Sequence, residues 1–539
     1  MRAALVAALV LIAALVLIGA LALHGVLRAG ERTAFTALFE GPIAVAALLL
    51  ASVIGLLLFR DVRRLPGPGP WLAMFAFGLA IAVGAVELRQ AYPAGTTDDF
   101  PHRFAEFHLK NFNLNESIVT AQNILHGKGN ALPVAGGSTK INTYRMPGYP
   151  LFIALAAKIF RASPDDLTAL GASTVYLQVV VFALALAFFA YSLAGVMSPG
   201  LVGLIVVITC WFPQSFDMTE NDSTILACGL LIAGALCVFH PDARQPSDVP
   251  LKRHLLLHAA FALYFLMRSD ILIGWIGVSL FLYRRRLEYM ALPLCFALVI
   301  GGAWGLYKKA HRSEFVPTTS NIGHVAFVGL WQTPRHKFIW EPTDESYAQW
   351  IGAHGYTYME PRANGFAIRE VMRFWFTYPD YVIANAWYKA YSYFRYEAWS
   401  GSLALYPSRL AGFAMRRIGY WLLFLAVVIA LMMGFEVRRT FLLAWPLFLN
   451  LPIFMLLQHN ARYVPFISCS LMFAAIPLLV SPEFYARFVS RKRQGIAVLI
   501  VGVLVWVAAP AINTLLLSDR FRYWAPFLDP ADSTLTKIR

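Results

Sequence analysis

The sequence predicts an all-α polytopic membrane protein, with a bundle of about 13 transmembrane helices, outer-face juxtamembrane helices and a folded outer loop region. Hydrophobic residues make up 59% of the 539 residues and charged residues only 14%, whereas soluble domains average about 45–50% and about 25%. Apolar stretches of about 20 residues, the length that crosses a bilayer, recur from end to end. This composition excludes a soluble enzyme, a disordered protein and a disulfide-stapled secreted module.

The apolar stretches define the predicted spans. In chain order these are 3–26, 43–60, 71–89, 167–196, 200–213, 223–240, 254–268, 270–283, 289–307, 418–434, 440–457, 464–480 and 496–517. The first is interpreted as an uncleaved helix because its apolar run exceeds the roughly 7–15 residues of a signal peptide. The seventh and eighth are short and nearly continuous, so a single long helix is an alternative for them.

Basic residues indicate the orientation. Arginine and lysine clusters follow spans two, six, eight, ten and twelve, with Arg284, Arg285 and Arg286 after the eighth. Cytoplasmic loops carry the excess of these residues, so we expect a cytoplasmic N-terminus and an outer position for loops 90–166, 214–222, 268–270, 308–417 and 458–463. The net charge of +15 then reflects topology and membrane lipids rather than nucleic acid. The alanine- and arginine-rich composition indicates a bacterial inner membrane.

The chain divides into four predicted regions. Residues 1–70 hold two N-terminal transmembrane helices, and 71–307 form the transmembrane core with the first outer loop at 90–166. Residues 308–417 form an aromatic-rich outer region, and 418–539 hold the last helices and an outer tail. The five cysteines lie in apolar runs without zinc-ligand or disulfide spacing, so we interpret them as buried small hydrophobes.

The first outer loop carries the most distinctive polar residues. Asp98 and Asp99 are adjacent carboxylates, which can act as a general base or bind a hard cation; the alternative is a turn cap beside a solvated side chain. A helical stretch beginning near Glu116 comes next. The prolines at 147 and 150 then predict a turn, before an apolar helix to Phe160 that is too short to span and suits the membrane interface.

Two segments of this loop resemble the GT-C glycosyltransferases. They are AQNILHGKG at 121–129 and RMPGYP at 145–150, with weaker similarities in TEND at 219–222, MRSD at 267–270 and RY at 462–463. These polytopic enzymes use polyprenyl-phosphate sugars and include protein mannosyltransferases, aminoarabinose transferases and arabinofuranosyltransferases. The resemblance implies a GT-C-like bundle and an inverting transfer of a hexosyl or pentosyl unit to an acceptor hydroxyl on the periplasmic, outer face.

The resemblance also implies site residues. Many relatives carry a catalytic aspartate shortly before the alanine that Ala121 matches, where this chain has Phe112 and Asn113. We therefore assign the base to Asp99 or Asp98, with Glu116 as the alternative, and the aspartate pair permits a divalent metal ion without requiring it. The implied substrate-binding residues are Arg145, Tyr149, Glu220, Asp222, Arg268, Asp270, His459, Arg462 and Tyr463.

The implied partners are a polyprenyl-phosphate-linked sugar donor, a glycan, lipid or protein acceptor, and membrane lipids. The arginines at outer segment ends could converge on the donor phosphate, or they could snorkel towards phospholipid headgroups. Aromatic residues in 308–417 could stack on an acceptor sugar or form an interfacial belt. Two other functions stay open: a transporter or flippase of lipid-linked sugars, which would favour charged residues near the midplane, and an O-antigen-type ligase or polymerase.

Overall fold

The computed structural model describes residues 112–133, 139–142, 145–193, 222–239, 248–311, 314–331, 344–357, 360–395, 420–457 and 464–524. These residues are mostly helical, in keeping with an all-α membrane protein. The predicted spans 3–26, 43–60, 71–89 and 200–213 lie outside them.

The first half of the described chain contains seven α-helices and one short hairpin. Their bounds are α1 (Phe112–Leu125), β1 (Ala131–Pro133), β2 (Thr139–Ile141), α2 (Gly148–Phe160), α3 (Leu167–Leu193), α4 (Asp222–Val238), α5 (Leu251–Met267), α6 (Ile271–Tyr283) and α7 (Ala291–Ala310). The two strands are antiparallel, with Ala131 opposite Ile141. A 3₁₀ turn at Leu287–Met290 leads into α7.

The second half of the described chain contains ten α-helices. Their bounds are α8 (Ile322–Trp331), α9 (Asp344–Ala353), α10 (Pro361–Thr377), α11 (Pro379–Arg395), α12 (Tyr420–Met432), α13 (Val437–Leu449), α14 (Leu451–Leu456), α15 (Val464–Leu479), α16 (Pro482–Ser490) and α17 (Lys492–Trp524). Proline in the first turn begins several of them, where its missing N–H has no intrahelical partner to lose. Helices α10 and α11, in the aromatic-rich region 308–417, are amphipathic.

Within the described residues, four helices are long and apolar enough to cross a membrane, or up to five if the bent pair of α15 and α16 counts as one. The four stretches are Ala169–Leu193, Leu287–Ala310, Val437–Leu456 and Lys492–Ile512. Other predicted spans coincide with helices that are apolar but shorter, such as α4, α6 and α12. The stretch within α17 is only 17% buried and that within α7 only 22%, so both expose wide apolar faces, as lipid-facing helices do.

Helices α5 and α6 are two separate helices rather than one. The backbone of Arg268 is extended, with φ −150° and ψ 132°, and this breaks the helix before Asp270. The two helices are joined side by side by buried hydrogen bonds of His258, in the middle of α5. Trp275 Nε1 donates to His258 Nδ1 at 3.0 Å, and the Tyr283 hydroxyl lies 2.8 Å from His258 Nε2.

Two apolar clusters form the bundle interior and share α4. One joins α3, α4, α12, α13 and α15, with Phe189 packed on Phe473 at a ring-centroid distance of 4.5 Å. The other joins α4, α5, α6, α7 and α13 around Trp275, which stacks on Phe261 at 5.7 Å. Three cysteines are buried in these clusters as expected, Cys228, Cys237 and Cys469. The expectation is wrong for Cys295, which is exposed on α7.

Several of the described loops lie at one end of the bundle, which we call the loop end. This end is marked by the turn at 268–270 between α5 and α6, whereas Arg284, Arg285 and Arg286 follow the opposite end of α6. Position Gly148 lies against the last turn of α5, and Gly274 near the start of α6 lies against Trp445 and Asn450 near the end of α13. The first loop, the 268–270 turn and the α13–α14 junction therefore share this end.

Candidate functional site

The RMPGYP segment is held against the end of α5 by a close backbone contact. A side-chain carbon at Gly148 would lie 2.4 Å from the Leu266 carbonyl oxygen, so only glycine fits there. Pro147 precedes the first residue of α2 with helical φ and ψ of −77° and −11°, and Met146 and Tyr149 are buried. Glycine at this position thus lets the segment that carries Arg145 pack beside the turn that contains Arg268.

Arg145 forms an ion pair with Glu116. The Arg145 Nε atom donates to Glu116 Oε2 at 3.2 Å, and the two side chains are 41% and 3% exposed. The carboxylate is therefore enclosed in protein while the guanidinium reaches the surface. Glu116 fixes the orientation of the guanidinium group, whose exposed part is open to solvent.

The hairpin and α1 support this pair through polar contacts. Asn142 Nδ2 donates to Thr120 Oγ1 at 3.2 Å, and the Arg145 backbone N–H donates to Asn142 Oδ1 at 3.2 Å. Asn123 Nδ2 donates to the Ala131 carbonyl at 2.8 Å, which ties α1 to β1. Neither asparagine was among the predicted site residues, although asparagine is a frequent residue where a chain turns.

Tyr149 lies in a buried polar contact between three helices. Gln178 Nε2, from α3, lies 3.4 Å from Tyr149 Oη and 3.3 Å from Thr224 Oγ1 of α4. Asp222 begins α4 two residues before Thr224, whereas Glu220 lies outside the described residues. Tyr149 therefore joins α2 to the bundle interior and stands in the core rather than on an open surface.

Arg268 and Asp270 form a bidentate ion pair across the turn. Arg268 Nε donates to Asp270 Oδ1 at 3.2 Å, and its Nη2 donates to Oδ2 at 2.8 Å. The side chains are 17% and 20% exposed, so the pair is partly covered. Two-point pairing holds both groups in one plane and so fixes the direction of the remaining guanidinium N–H groups of Arg268.

Lys308, near the end of α7, is a buried lysine that was not among the predicted site residues. It is 0% exposed, its Nζ donates to the Thr318 carbonyl at 2.7 Å, and it lies 4.7 Å from the centre of the Trp304 ring. The next residue, Lys309, is exposed. Thr319, beside Thr318, lies 3.0 Å from the hydroxyl of Ser269. Lys308 is thus connected to the turn that carries Arg268.

A second buried lysine joins α11 to two helix ends. Lys389 Nζ donates to the Gly329 carbonyl at 2.7 Å and to the Leu457 carbonyl at 2.5 Å. Both carbonyls lie near helix C-termini, where the helix dipole favours a positive charge. One helical turn away Asn385 donates to the same Gly329 carbonyl. The predicted residues His459, Arg462 and Tyr463 follow Leu457 directly and lie outside the described residues.

Helices α8, α9 and α10 form a small apolar unit whose aromatic residues pack mainly on one another. Trp350 stacks on Phe327 at a ring-centroid distance of 4.5 Å and contacts Phe366 at 5.3 Å. The hydroxyl of Tyr381, on α11, donates to the Leu330 carbonyl. Burial raises the pKa of Tyr381 and that of Tyr347 above the usual tyrosine range, because a phenolate would lose its hydration.

The predicted base and metal ligands Asp98 and Asp99 lie outside the described residues. Across the described ranges, no group of three His, Cys, Asp or Glu side chains comes close enough to hold a metal ion. Comparison with protein-family models, with curated proteins and with solved structures finds no match to this chain.

Proposed function

We propose that this protein is a membrane glycosyltransferase that moves a sugar from a polyprenyl-phosphate donor to an acceptor hydroxyl, with inversion. The observation that carries the proposal is the ion pair of Arg145 with Glu116 beside the end of α5, in the loop segment that resembles GT-C enzymes. A carboxylate that is 3% exposed holds a guanidinium that is 41% exposed. This arrangement suits a group that receives a phosphate from outside the fold.

In the proposed reaction the acceptor oxygen attacks the anomeric carbon while the bond from that carbon to the phosphate oxygen breaks. Asp98 or Asp99 takes the acceptor proton, and polyprenyl phosphate leaves as an anion. Arg145 and Arg268 stabilise the charge that develops on the phosphate. Because Glu116 is enclosed and paired with Arg145, we assign it to the orientation of that arginine. A divalent ion at the aspartate pair stays a prediction of the sequence.

The proposed location is the periplasmic face of a bacterial inner membrane, in a bundle of about 13 spans with a cytoplasmic N-terminus. Support comes from the position of the arginine clusters: Arg284, Arg285 and Arg286 follow the end of α6 opposite the loop end. The positive-inside rule then assigns the loop end to the outer side. A lipid-phosphate donor would have its headgroup at this level and its chain among the apolar helices.

The proposal is tested by mass spectrometry of envelope glycans and lipid-linked sugars. Cells with the wild-type protein are compared with a deletion strain and with the deletion strain producing Arg145→Gln or, as a control at an exposed position of α10, Arg369→Gln. We expect one sugar residue to disappear in the deletion and in Arg145→Gln, at equal protein levels in the membrane, and to be present with Arg369→Gln. Unchanged glycans and lipid-linked sugars in the deletion would overturn the proposal.

A further inference from the structure

Residues 314–321 are an irregular segment with several bends that packs on the last turns of α7, and we call it the strap. They fit against two glycines on one face of α7, four residues apart. A side-chain carbon at Gly305 would lie 2.6 Å from the Phe315 ring, and one at Gly301 would lie 3.2 Å from the Pro317 carbonyl oxygen. Residues four apart lie above one another on a helix, so the missing side chains leave a groove for the strap.

Lys308 fastens the strap at the end of this groove. Its Nζ donates to the Thr318 carbonyl at 2.7 Å while its aliphatic stem and ammonium group are enclosed. An enclosed ammonium group needs such partners, because its hydration is lost. The neighbouring Lys309 is exposed, so burial distinguishes the two lysines.

The fastened strap contacts the turn between α5 and α6. Thr319 donates its hydroxyl hydrogen to Asn321 Oδ1 at 2.6 Å, so in the 3.0 Å contact with Ser269 the serine hydroxyl is the donor. Ser269 stands between Arg268 and Asp270, whose ion pair spans it. Lys308 therefore contacts Thr318, the adjacent Thr319 contacts Ser269, and Ser269 is the next residue in the chain after the arginine of the proposed phosphate site.

We propose that Lys308 is a positioning residue that, through the strap, holds the Arg268–Asp270 pair in the orientation that binds the donor phosphate. The donor phosphate named in this inference rests on the proposed function, whereas the contact between the strap and the 268–270 turn does not. Misplacing a charged group by about 1 Å can weaken a reaction by about a hundredfold. Loss of the fastening should therefore affect donor binding more than the overall fold.

The strap contact is tested by cross-linking in purified full-length protein. Ser269→Cys with Thr319→Cys puts two thiols where the hydroxyl oxygens are 3.0 Å apart, within reach of a disulfide after small rotations. The pair is oxidised with copper phenanthroline in three backgrounds: Lys308, Lys308→Met and Lys309→Met. We expect cross-linking to slow about fivefold or more with Lys308→Met and to be unchanged with Lys309→Met. Equal rates in all three would overturn the inference.

The effect on the reaction is tested by kinetics with the lipid-phosphate donor. Lys308→Met should raise KM for the donor about tenfold or more with a smaller change in kcat, whereas Lys309→Met, at the neighbouring exposed position, should leave KM unchanged. A structural role alone would lower the amount of active protein and leave KM unchanged, which would contradict the inference. If Lys308→Met does not fold, Thr319→Val interrupts the same contacts and should raise KM likewise.

The two proposals fail in different ways. If the wild-type protein transfers no sugar, the glycosyltransferase proposal fails, and the cross-linking rates still decide whether Lys308 fastens the strap. If the wild-type protein transfers sugar and Lys308→Met has wild-type KM, the inference about Lys308 fails alone.

Discussion

Replacing Gly148 by alanine tests the contact that joins the first loop to the bundle. The added methyl carbon would lie 2.4 Å from the Leu266 carbonyl oxygen, whereas such atoms ordinarily stay about 3.3 Å apart. The start of α2 and the end of α5 must therefore separate by about 0.9 Å. Both sides of the contact are backbone, so no side chain can rotate away to relieve it.

The expected destabilisation follows from two opposing effects. Overpacking of this kind costs about 1–3 kcal/mol, and the upper part of that range applies because backbone must move. Alanine also restricts the unfolded chain, which returns about 0.4–1 kcal/mol. We expect a net loss of about 2 kcal/mol in the free energy of unfolding. Arg145 should move with the loop, lowering sugar transfer about tenfold or more.

Unfolding is measured in detergent by the reaction of buried thiols with a fluorescent maleimide during heating. Cys228, Cys237 and Cys469 are buried and become reactive only as the bundle opens. The matched control is Gly365→Ala on α10, where no atom lies within 4 Å of the new carbon, so stability should rise by about 0.5–1 kcal/mol. Wild-type stability in Gly148→Ala, with the control behaving as expected, would refute the close contact.

Three further predictions use the same thermal assay. Lys389→Met removes two charge-assisted hydrogen bonds and should cost about 2–4 kcal/mol. Lys158→Met, at an exposed position, should change stability by less than about 0.5 kcal/mol. Equal effects of the two substitutions would contradict the buried hydrogen bonds of Lys389. Burial raises the pKa of Tyr381. The free energy of unfolding should therefore keep its full value below about pH 10, where the unfolded tyrosine is neutral. Above that pH it should fall, because the tyrosine ionises in the unfolded chain. Tyr381→Phe should make that alkaline fall shallower, and an unchanged fall would argue against the burial. Trp275→Phe leaves His258 without its indole donor and should cost about 1–2 kcal/mol; no loss would argue against that hydrogen bond.

The long apolar and amphipathic helices were the part of the fold most open to prediction from the sequence. Helix α3 coincides with an apolar run, and α10 and α11 each begin at a proline and carry an amphipathic pattern. Such periodic signals extend over several turns. The hairpin of β1 and β2 was not predicted, because strands of three residues are too short for an alternating pattern to show.

The polar contacts of the site were harder to predict. Arg145 and Glu116 were both candidates, but their pairing depends on the packing of α1 against the turn before α2. Gln178 and Thr224 stand in apolar runs, where the sequence does not distinguish a lipid-facing position from one that faces another helix. Likewise, Lys308 and Lys309 are adjacent, and only the path of the strap determines which ammonium group is buried.

The central claim is tested most directly by a transfer assay with isolated components. Membranes from the deletion strain supply donor and acceptor, and purified protein is added while mass spectrometry follows polyprenyl phosphate and the acceptor. We expect the wild-type protein to release polyprenyl phosphate and to add one sugar in equal amounts, and Asp98→Asn/Asp99→Asn to do neither. Glu116→Gln should retain transfer with weaker donor binding. Absence of both products with the wild-type protein, or equal rates with the double variant, would contradict the account.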